Sequence, residues 1–315
     1  MKVFVTGGDG FVGQYLVRRL TEHGHKVIAG CRPGTTDNAA SAAWRMGASL
    51  IPLELGDPES IRAAVAPGYD AVVHLAAIAS VREAHADPGR AWEINAAGTA
   101  RLVNSIQSSR ELNGSDPVVL IVSTAEVYGC GPERPRAESD AARPQSTYAA
   151  SKLGAEIAAL EVGRRAGLRT IIARPFTHTG PGQSAPYVVP SFIARLQGVK
   201  SGEDSRVPTG NLSPVRDFLD VRDVVEAYLA LLVAGVPGEI YNIARGQGIS
   251  LVELFQQLAD LIGVPAVPVP DPGLRRRGDI PHLVGDSRKL RQVTGWSPTI
   301  PLEQTLRDMV NAQAH

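Results

Sequence analysis

A glycine-rich turn between a short apolar strand and an amphipathic helix constrains the fold of this chain most strongly. The strand is predicted over Lys2–Thr6, where β-branched and aromatic residues dominate. Apolar residues then recur at helical spacing, and Gly24 stands where a helix would end. Three glycines, Gly7, Gly10 and Gly13, lie between the two elements. This order of strand, turn and helix is typical of a dinucleotide-binding α/β domain.

Each of these glycines has a physical reason to be there. Gly7 permits the tight turn, Gly10 lets the backbone approach a pyrophosphate, and Gly13 lets the helix pack on the strand. The amino end of the helix supplies an anion site. A glycine-rich turn without a ligand is the alternative, and the flanking strand and helix argue against it. We expect the cofactor to contact Gly7, Gly10, Phe11, Val12 and Gly13.

The end of the second predicted strand, residues 26–30, indicates which dinucleotide binds. An NAD enzyme carries a carboxylate there for the ribose 2′-hydroxyl. This chain has no acid at that point and has Arg32 instead. A guanidinium can pair with a 2′-phosphate, so we predict NADP(H), against the alternative that Arg32 is a solvated surface charge.

Two further strands, predicted over residues 49–54 and 71–76, bring more candidates to the same edge of the sheet. The first ends beside a position that can touch adenine. Small residues at the end of the second allow the backbone to pass close to a cofactor. We therefore expect cofactor contacts from Glu54, Leu55, Leu75, Ala76 and Ala77. No second ligand is spaced with His74, so no metal site is predicted.

Composition excludes several classes of protein. The chain has 315 residues, with 32 Lys and Arg against 32 Asp and Glu. This balance argues against a nucleic-acid partner, because phosphate backbones attract basic surfaces. Cys31 and Cys130 form no disulfide framework, and neither a charged leader nor an apolar run near ~18 residues is present. We expect a cytoplasmic protein without a membrane partner.

A hydroxyl, a tyrosine and a lysine form the candidate catalytic set. The apolar strand predicted over residues 118–123 delivers Thr124 to the carboxyl edge of the sheet. Tyr148 and Lys152 follow on a helix, where a spacing of four residues puts them on one face. A neighbouring cation lowers the pKa of a tyrosine, so the pair can exchange a proton with a carbonyl or an alcohol. An ordinary surface Tyr and Lys is the alternative.

With these motifs in order, the chain resembles the extended short-chain dehydrogenase/reductases, in the branch that modifies nucleotide sugars. The family's T-G-G-x-G-F-x-G turn stands at residues 6–13, and its catalytic residues match Thr124, Tyr148 and Lys152. The resemblance implies an α/β fold: a Rossmann-type doubly wound parallel sheet with a smaller mixed α/β substrate-binding lobe. It places the NADP-binding domain at residues 1–173 plus about 214–244. The nucleotide-sugar lobe then comprises about 174–213 and 245–315.

Four later segments, residues 174–183, 188–192, 216–224 and 279–286, look most like the GDP-4-keto-6-deoxy-D-mannose reductases. They look next most like the GDP-mannose 4,6-dehydratases. The resemblance implies NADPH-dependent reduction of the C4 ketone of a 4-keto-6-deoxy nucleotide hexose, giving GDP-D-rhamnose or a close relative. It also implies that Lys152 holds the nicotinamide ribose and that Pro175 contacts the cofactor. A homodimer would form through helices near residues 92–109 and 151–165.

The substrate is expected to meet residues of the second lobe and Thr124. Arg216 and Arg276 are candidates for the diphosphate, because a planar guanidinium suits phosphate oxygens. For Arg276, a solvated charge run is the alternative. The resemblance adds Val189 and Thr177, which stands where the family usually has an Asn that touches the sugar nucleotide. Residues 263–273 are predicted to be loops.

Glu126 is compatible with related reactions as well as with ketone reduction. Dehydratases resembling this chain use a Glu two residues after the hydroxyl to remove the C5 proton, and related reductases also keep an acid there. Another group of dehydratases has an Asp–Glu pair, whereas this chain has Ala125 at the Asp position. Glu126 therefore joins the catalytic candidates, and a 4,6-dehydratase or 4-epimerase is the alternative function. A non-catalytic NADP(H)-binding regulator would not need Thr124 and Tyr148.

Overall fold

A parallel sheet of seven strands organises the part of the chain that the structure, a computed structural model, describes: residues 1–34, 46–274 and 279–313. The strand order is β11-β6-β5-β4-β1-β2-β3. In chain order, β1 to β6 span Lys2–Thr6, Lys26–Cys31, Ser49–Pro52, Ala71–His74, Val118–Val122 and Arg169–Pro175, and β11 spans Ile240–Ile243. The chain order reverses between β1 and β4, which opens a crevice at the carboxyl edge.

Helices cover both faces of the sheet, as expected for a doubly wound fold. Helices α1 to α6 span Phe11–Glu22, Pro58–Val65, Val81–Ala86, Pro88–Trp92, Gly98–Asn113 and Thr147–Ala166. Helices α7 to α11 span Val188–Lys200, Val221–Ala234, Leu251–Ile262, Arg288–Thr294 and Leu302–Gln313. No described helix is both long and apolar enough to cross a lipid bilayer.

Alternation along the strands divides the apolar side chains between two cores. In β1, Val3 and Val5 pack with α1 and α8 on one face, whereas Phe4 packs with α2, α5 and α6 on the other. Successive side chains of a strand point to opposite faces, so both faces of this buried sheet must be apolar. The predicted continuous apolar strands are explained by this arrangement.

The helix predicted near residues 92–109 is present, but it is not α-helical throughout. Helix α4 ends at Trp92, a π-helical turn follows at Glu93–Ala97, and α5 runs over Gly98–Asn113. One extra residue per turn rotates the helix and re-aims its side chains. The side chain that this turn delivers to the core is Asn95.

The second lobe consists of α7, α9 and α11 around a separate core, with short strands at its edges. These strands are β7 to β10 at His178–Thr179, Arg206–Thr209, Val215–Arg216 and Leu219–Asp220, and β12 to β14 at Ile249–Ser250, Val267–Pro270 and His282–Leu283. The prediction that residues 263–273 form only loops is wrong. Strand β13 pairs in parallel with β8, and this pairing with a segment 61 residues earlier in the chain leaves no local signal.

Candidate active site

The glycine turn forms a cradle at the carboxyl end of β1. Gly7 has φ +70°, and a Cβ there would lie 2.9 Å from the backbone nitrogen of Ala76. A Cβ on Gly13 would clash with the carbonyl oxygen of Gly7. The backbone of the turn and the first turn of α1 therefore approach each other more closely than a side chain at Gly13 would allow. This cradle fits a dinucleotide diphosphate, with Phe11 and Val12 in the first turn of the helix.

Arg32 lies at the end of β2, beside the turn. Its side chain is 83% exposed, and its Nε stands 3.9 Å from Oδ2 of Asp9, a residue of the turn. The guanidinium is thus held near the cradle while most of its surface stays accessible. That position suits a 2′-phosphate.

Glu54 and Leu55 follow β3, and their side chains differ in how deeply they are buried. The Leu55 side chain is buried in the core against Gly98, so its backbone is the part nearer the edge. Glu54 is half-buried, and its Oε1 accepts a hydrogen bond from the nitrogen of Gly56 at 3.3 Å. An open cavity of about 450 Å³ adjoins both Glu54 and Gly56. The adenine contact of Glu54 and Leu55 stays a prediction.

A series of buried hydrogen bonds positions the half-buried residues Leu75 to Ala77. The Nδ1 of His74 lies 2.8 Å from the hydroxyl of Thr6, and its Nε2 lies 2.9 Å from the hydroxyl of Thr99. The Thr6 hydroxyl also accepts a hydrogen bond from the nitrogen of Ala76 at 3.1 Å. Burial, assisted by the charge of Lys152, lowers the pKa of His74 to about 3, so the ring is neutral. His74 is the last residue of β4.

Asn95 ties the next segment to the catalytic helix. Its side chain accepts from the nitrogen of Ile78 at 2.8 Å and donates to the oxygen of Ile78 at 3.1 Å. It also donates to the hydroxyl of Ser151 at 2.9 Å, and that hydroxyl donates to the backbone oxygen of Tyr148 at 2.9 Å. The sequence favours Asn95 as a buried hydrogen-bond anchor, and these contacts confirm that role. Sequence reasoning missed Ser151, because the π-helical turn that brings the two residues together has no strong local signature.

Thr124, Glu126 and Tyr148 come together at the edge of the sheet. Thr124 begins a 3₁₀ helix, Ala125–Tyr128, and its hydroxyl accepts from the nitrogen of Glu126 at 3.2 Å. Burial raises the pKa of Tyr148, and the Glu126 carboxylate adds to the rise, whereas a hydrogen bond with the Thr124 side chain opposes it. The lowered tyrosine pKa expected from the sequence is therefore wrong for this structure, since desolvation outweighs the other effects. A raised pKa keeps the hydroxyl protonated at neutral pH.

Lys152 lies one helical turn after Tyr148 and is 3% exposed. Burial lowers the pKa of its ammonium group to about 8, and the carboxylate of Glu156 acts in the opposite direction. The amine therefore stays mainly charged at neutral pH. A charged amine at this depth can hold ribose hydroxyls and stabilise a developing phenolate.

The predicted substrate-binding residues differ in how deeply they are buried. Thr177 is half-buried, and its backbone oxygen accepts from the nitrogen of Leu219 at 2.9 Å. Arg216 is half-buried in β9, whereas the side chain of Val189 is buried in the core of the lobe. Pro175 ends β6 and is buried. Arg276 lies outside the described residues.

Comparison with known proteins identifies relatives along almost the whole chain. Residues 3–244 match the NAD dependent epimerase/dehydratase family. GDP-6-deoxy-D-mannose reductase of Pseudomonas aeruginosa is 35% identical, covering 98% of this chain and 96% of that protein. The structure of RMD from P. aeruginosa complexed with NADPH has a TM-score of 0.83 and 34% identity, covering 99% of this chain and 98% of that one. UDP-glucose 4-epimerase from Thermotoga maritima, solved with UDP-glucose, has a TM-score of 0.88 and 29% identity, covering 100% and 99%.

Proposed function

The chain belongs to the NAD dependent epimerase/dehydratase family, and on that basis we propose that it reduces the C4 ketone of a 4-keto-6-deoxy nucleotide hexose with NADPH. GDP-4-keto-6-deoxy-D-mannose is the proposed substrate and GDP-D-rhamnose the product. The observation that carries the proposal is the 35% identity with GDP-6-deoxy-D-mannose reductase over 98% of the chain. The grouping of Thr124, Tyr148 and Lys152 supports it.

NADP(H) is the proposed cofactor. The cradle of Gly7, Gly10 and Gly13 suits its diphosphate, and Arg32 suits the 2′-phosphate. The P. aeruginosa protein of the same fold was solved with NADPH. Lys152, by its depth and charge, is proposed to hold the nicotinamide ribose. The reduced nicotinamide supplies the hydride that C4 receives.

The chain's own residues handle the proton. Tyr148 donates a proton to the C4 oxygen as negative charge develops on it, and its raised pKa keeps the hydroxyl protonated until then. Thr124 donates a hydrogen bond to the same oxygen, which stabilises the charge as it forms. The ammonium of Lys152 stabilises the phenolate that remains after proton transfer.

A 4,6-dehydratase or a 4-epimerase is the second candidate, because Glu126 stands beside the hydroxyls. Its carboxylate raises the pKa of Tyr148 by its charge, so it acts on the same part of the site. The similarity to UDP-glucose 4-epimerase also favours this alternative. A regulator that binds NADP(H) without turnover is a third candidate, and it leaves the Thr124–Tyr148 pair without a purpose.

The arrangement of domains and subunits is part of the proposal. Residues 1–173 with about 214–244 would bind the cofactor, and about 174–213 with 245–315 would form the nucleotide-sugar lobe. The sugar nucleotide would contact Thr177 and Arg276 of that lobe, and Arg216 from the segment 214–244. Ile157 and Trp92 are 59% and 46% exposed on the outer side of α6 and α4. Apolar exposure of this kind supports a homodimer through the helices near residues 92–109 and 151–165. A cytoplasmic location completes the proposal.

Incubation with GDP-, UDP- and dTDP-linked hexoses, each as the parent sugar and as the 4-keto-6-deoxy sugar, tests the function. We expect loss of NADPH absorbance with the GDP sugar and, by NMR, a product with a new hydrogen at C4. Conversion of a sugar nucleotide without net loss of NADPH would favour the epimerase or dehydratase. NADPH binding without any conversion would favour the regulator.

A further inference from the structure

Glu156 is a buried carboxylate one helical turn after Lys152 on α6. It is 1% exposed, and the reaction described above gives it no role. A carboxylate is removed from water only where other groups satisfy its charge. Its surroundings therefore indicate why it is there.

Two neighbouring strands hold this carboxylate. From β6, Arg174 donates its Nε to Oε1 at 2.9 Å and its Nη2 to Oε2 at 2.6 Å. From the end of β5, the hydroxyl of Ser123 donates to Oε1 at 2.5 Å. A bidentate guanidinium and a hydroxyl occupy both oxygens, so the orientation of the carboxylate is fixed.

The same contacts join the elements that carry the catalytic candidates. Ser123 directly precedes Thr124, and Glu156 lies on the helix of Tyr148 and Lys152. Arg174 is itself fixed, with its guanidinium 4.9 Å from the ring of Tyr128. Thr124 and Lys152 are therefore held in register through one carboxylate.

Few other charges act on Lys152. His74 faces it from β4 and is neutral, because its pKa is about 3. Tyr148 lies on the same helix and is protonated at neutral pH, and Glu126 acts on Tyr148 from the 3₁₀ helix. Burial disfavours the charged amine, and Glu156 is the group that opposes this. Arg174 offsets part of the negative charge of Glu156 from the far side.

We propose that Glu156 is a positioning residue: its carboxylate, clamped by Ser123 and Arg174, aligns the helix of Lys152 with Thr124 and stabilises the charge of the buried Lys152. The inference rests on the proposed function, since a charged Lys152 matters only where Tyr148 transfers a proton. A purely structural ion pair would align the two elements without setting the protonation of Lys152. The two roles therefore differ in what they predict for that amine.

The test is an NMR titration of the Lys152 side chain in the full-length protein, with its ¹³Cε signal assigned by its loss in Lys152→Arg. Glu156→Gln alone leaves Arg174 buried without a counterion and is expected to fold poorly. Glu156→Gln/Arg174→Met removes both charges and keeps the side-chain volumes similar. Glu156→Asp retains the charge on a shorter side chain and is the matched control.

We expect the Lys152 midpoint near pH 8 in the wild type and lower by about one pH unit or more in the doubly neutral variant, as for loss of an opposite charge nearby. Glu156→Asp should stay close to the wild type. An unchanged midpoint in the double variant, or an equal fall in Glu156→Asp, would overturn the proposal. If the double variant does not fold, Arg174→Gln decides, because it removes the charge that offsets Glu156 and keeps a hydrogen-bond donor for the carboxylate. An electrostatic role predicts a higher Lys152 midpoint in that variant, and an unchanged midpoint would overturn the proposal.

This titration needs no substrate, so it separates the two proposals. A shifted Lys152 in a protein that reduces no ketone would refute the proposed function and leave the role of Glu156 intact. In an active enzyme, the alkaline limb of the pH profile of kcat should move to lower pH in the doubly neutral variant. The shift should equal the shift of the Lys152 midpoint. The positioning role would be refuted by an active enzyme in which the Lys152 midpoint and the pH profile of kcat are the same in the wild type and the doubly neutral variant.

Discussion

The amide nitrogen of Asn95 lies 2.9 Å from the hydroxyl of Ser151, and this bond joins the π-helical turn to the catalytic helix. The same amide satisfies both the nitrogen and the oxygen of Ile78. A single buried side chain thus connects the segment after β4, where the cofactor is proposed to lie, to the helix that carries Tyr148. Removing it leaves several buried polar groups without partners.

Asn95→Ala should therefore lower the free energy of unfolding by about 2–4 kcal/mol, since each buried backbone group left unsatisfied costs about 1–3 kcal/mol. Urea unfolding measures this. Asn104→Ala is the control, because Asn104 is exposed on α5, one helix further along, and should change stability by less than about 0.5 kcal/mol. Equal losses in the two variants would contradict the anchoring role of Asn95.

Arg32 should set the preference between cofactors. The wild type should bind NADPH at least about tenfold more tightly than NADH, which is ~1.4 kcal/mol. Arg32→Ala should weaken NADPH and leave NADH almost unchanged, because only the 2′-phosphate is proposed to meet the guanidinium. Fluorescence titration gives both dissociation constants, and equal constants in the wild type would refute the preference.

Ile157→Asp should dissociate the proposed homodimer, since it places a charge in the apolar surface of α6. Val233→Asp is the control, because Val233 is 81% exposed on α8, which covers the other face of the sheet. Sedimentation at micromolar concentration should give a dimer for the wild type and the control, and a monomer for Ile157→Asp. A monomeric wild type would exclude this assembly.

Tyr148 and Glu126 should differ in how much turnover depends on them. If the enzyme is a reductase, Tyr148→Phe should lower kcat by roughly 10²–10⁴, the range for a lost general acid. Glu126→Gln should cost far less, because ketone reduction abstracts no C5 proton. NADPH affinity should change little in either variant. Comparable collapse of both on a 4-keto-6-deoxy GDP-hexose would favour a dehydratase.

The sheet and the glycine turn could be predicted because their signals are local. Apolar runs, a glycine at each close contact and a Tyr–Lys spacing of one turn are all legible within a few residues of Gly13 or Tyr148. The predicted extended short-chain dehydrogenase/reductase resemblance is confirmed by the family match over residues 3–244. The roles of the individual site residues stay predictions.

Other features depend on contacts between distant segments. The clamp on Glu156 combines Ser123 and Arg174 from separate strands, and β13 exists only because β8 pairs with it. The raised pKa of Tyr148 follows from burial, which sequence spacing does not reveal. Each of these requires the tertiary arrangement, so a local pattern cannot predict it.

The central claim is that C4 of the sugar receives a hydride from NADPH, and isotope transfer tests it most directly. NADPH deuterated at the transferring position of the nicotinamide would be incubated with GDP-4-keto-6-deoxy-D-mannose in ordinary water. We predict one deuterium at C4 of the product, none elsewhere, and one NADPH oxidised for each sugar reduced. A product without deuterium at C4, formed with no net oxidation of NADPH, would contradict the reductase.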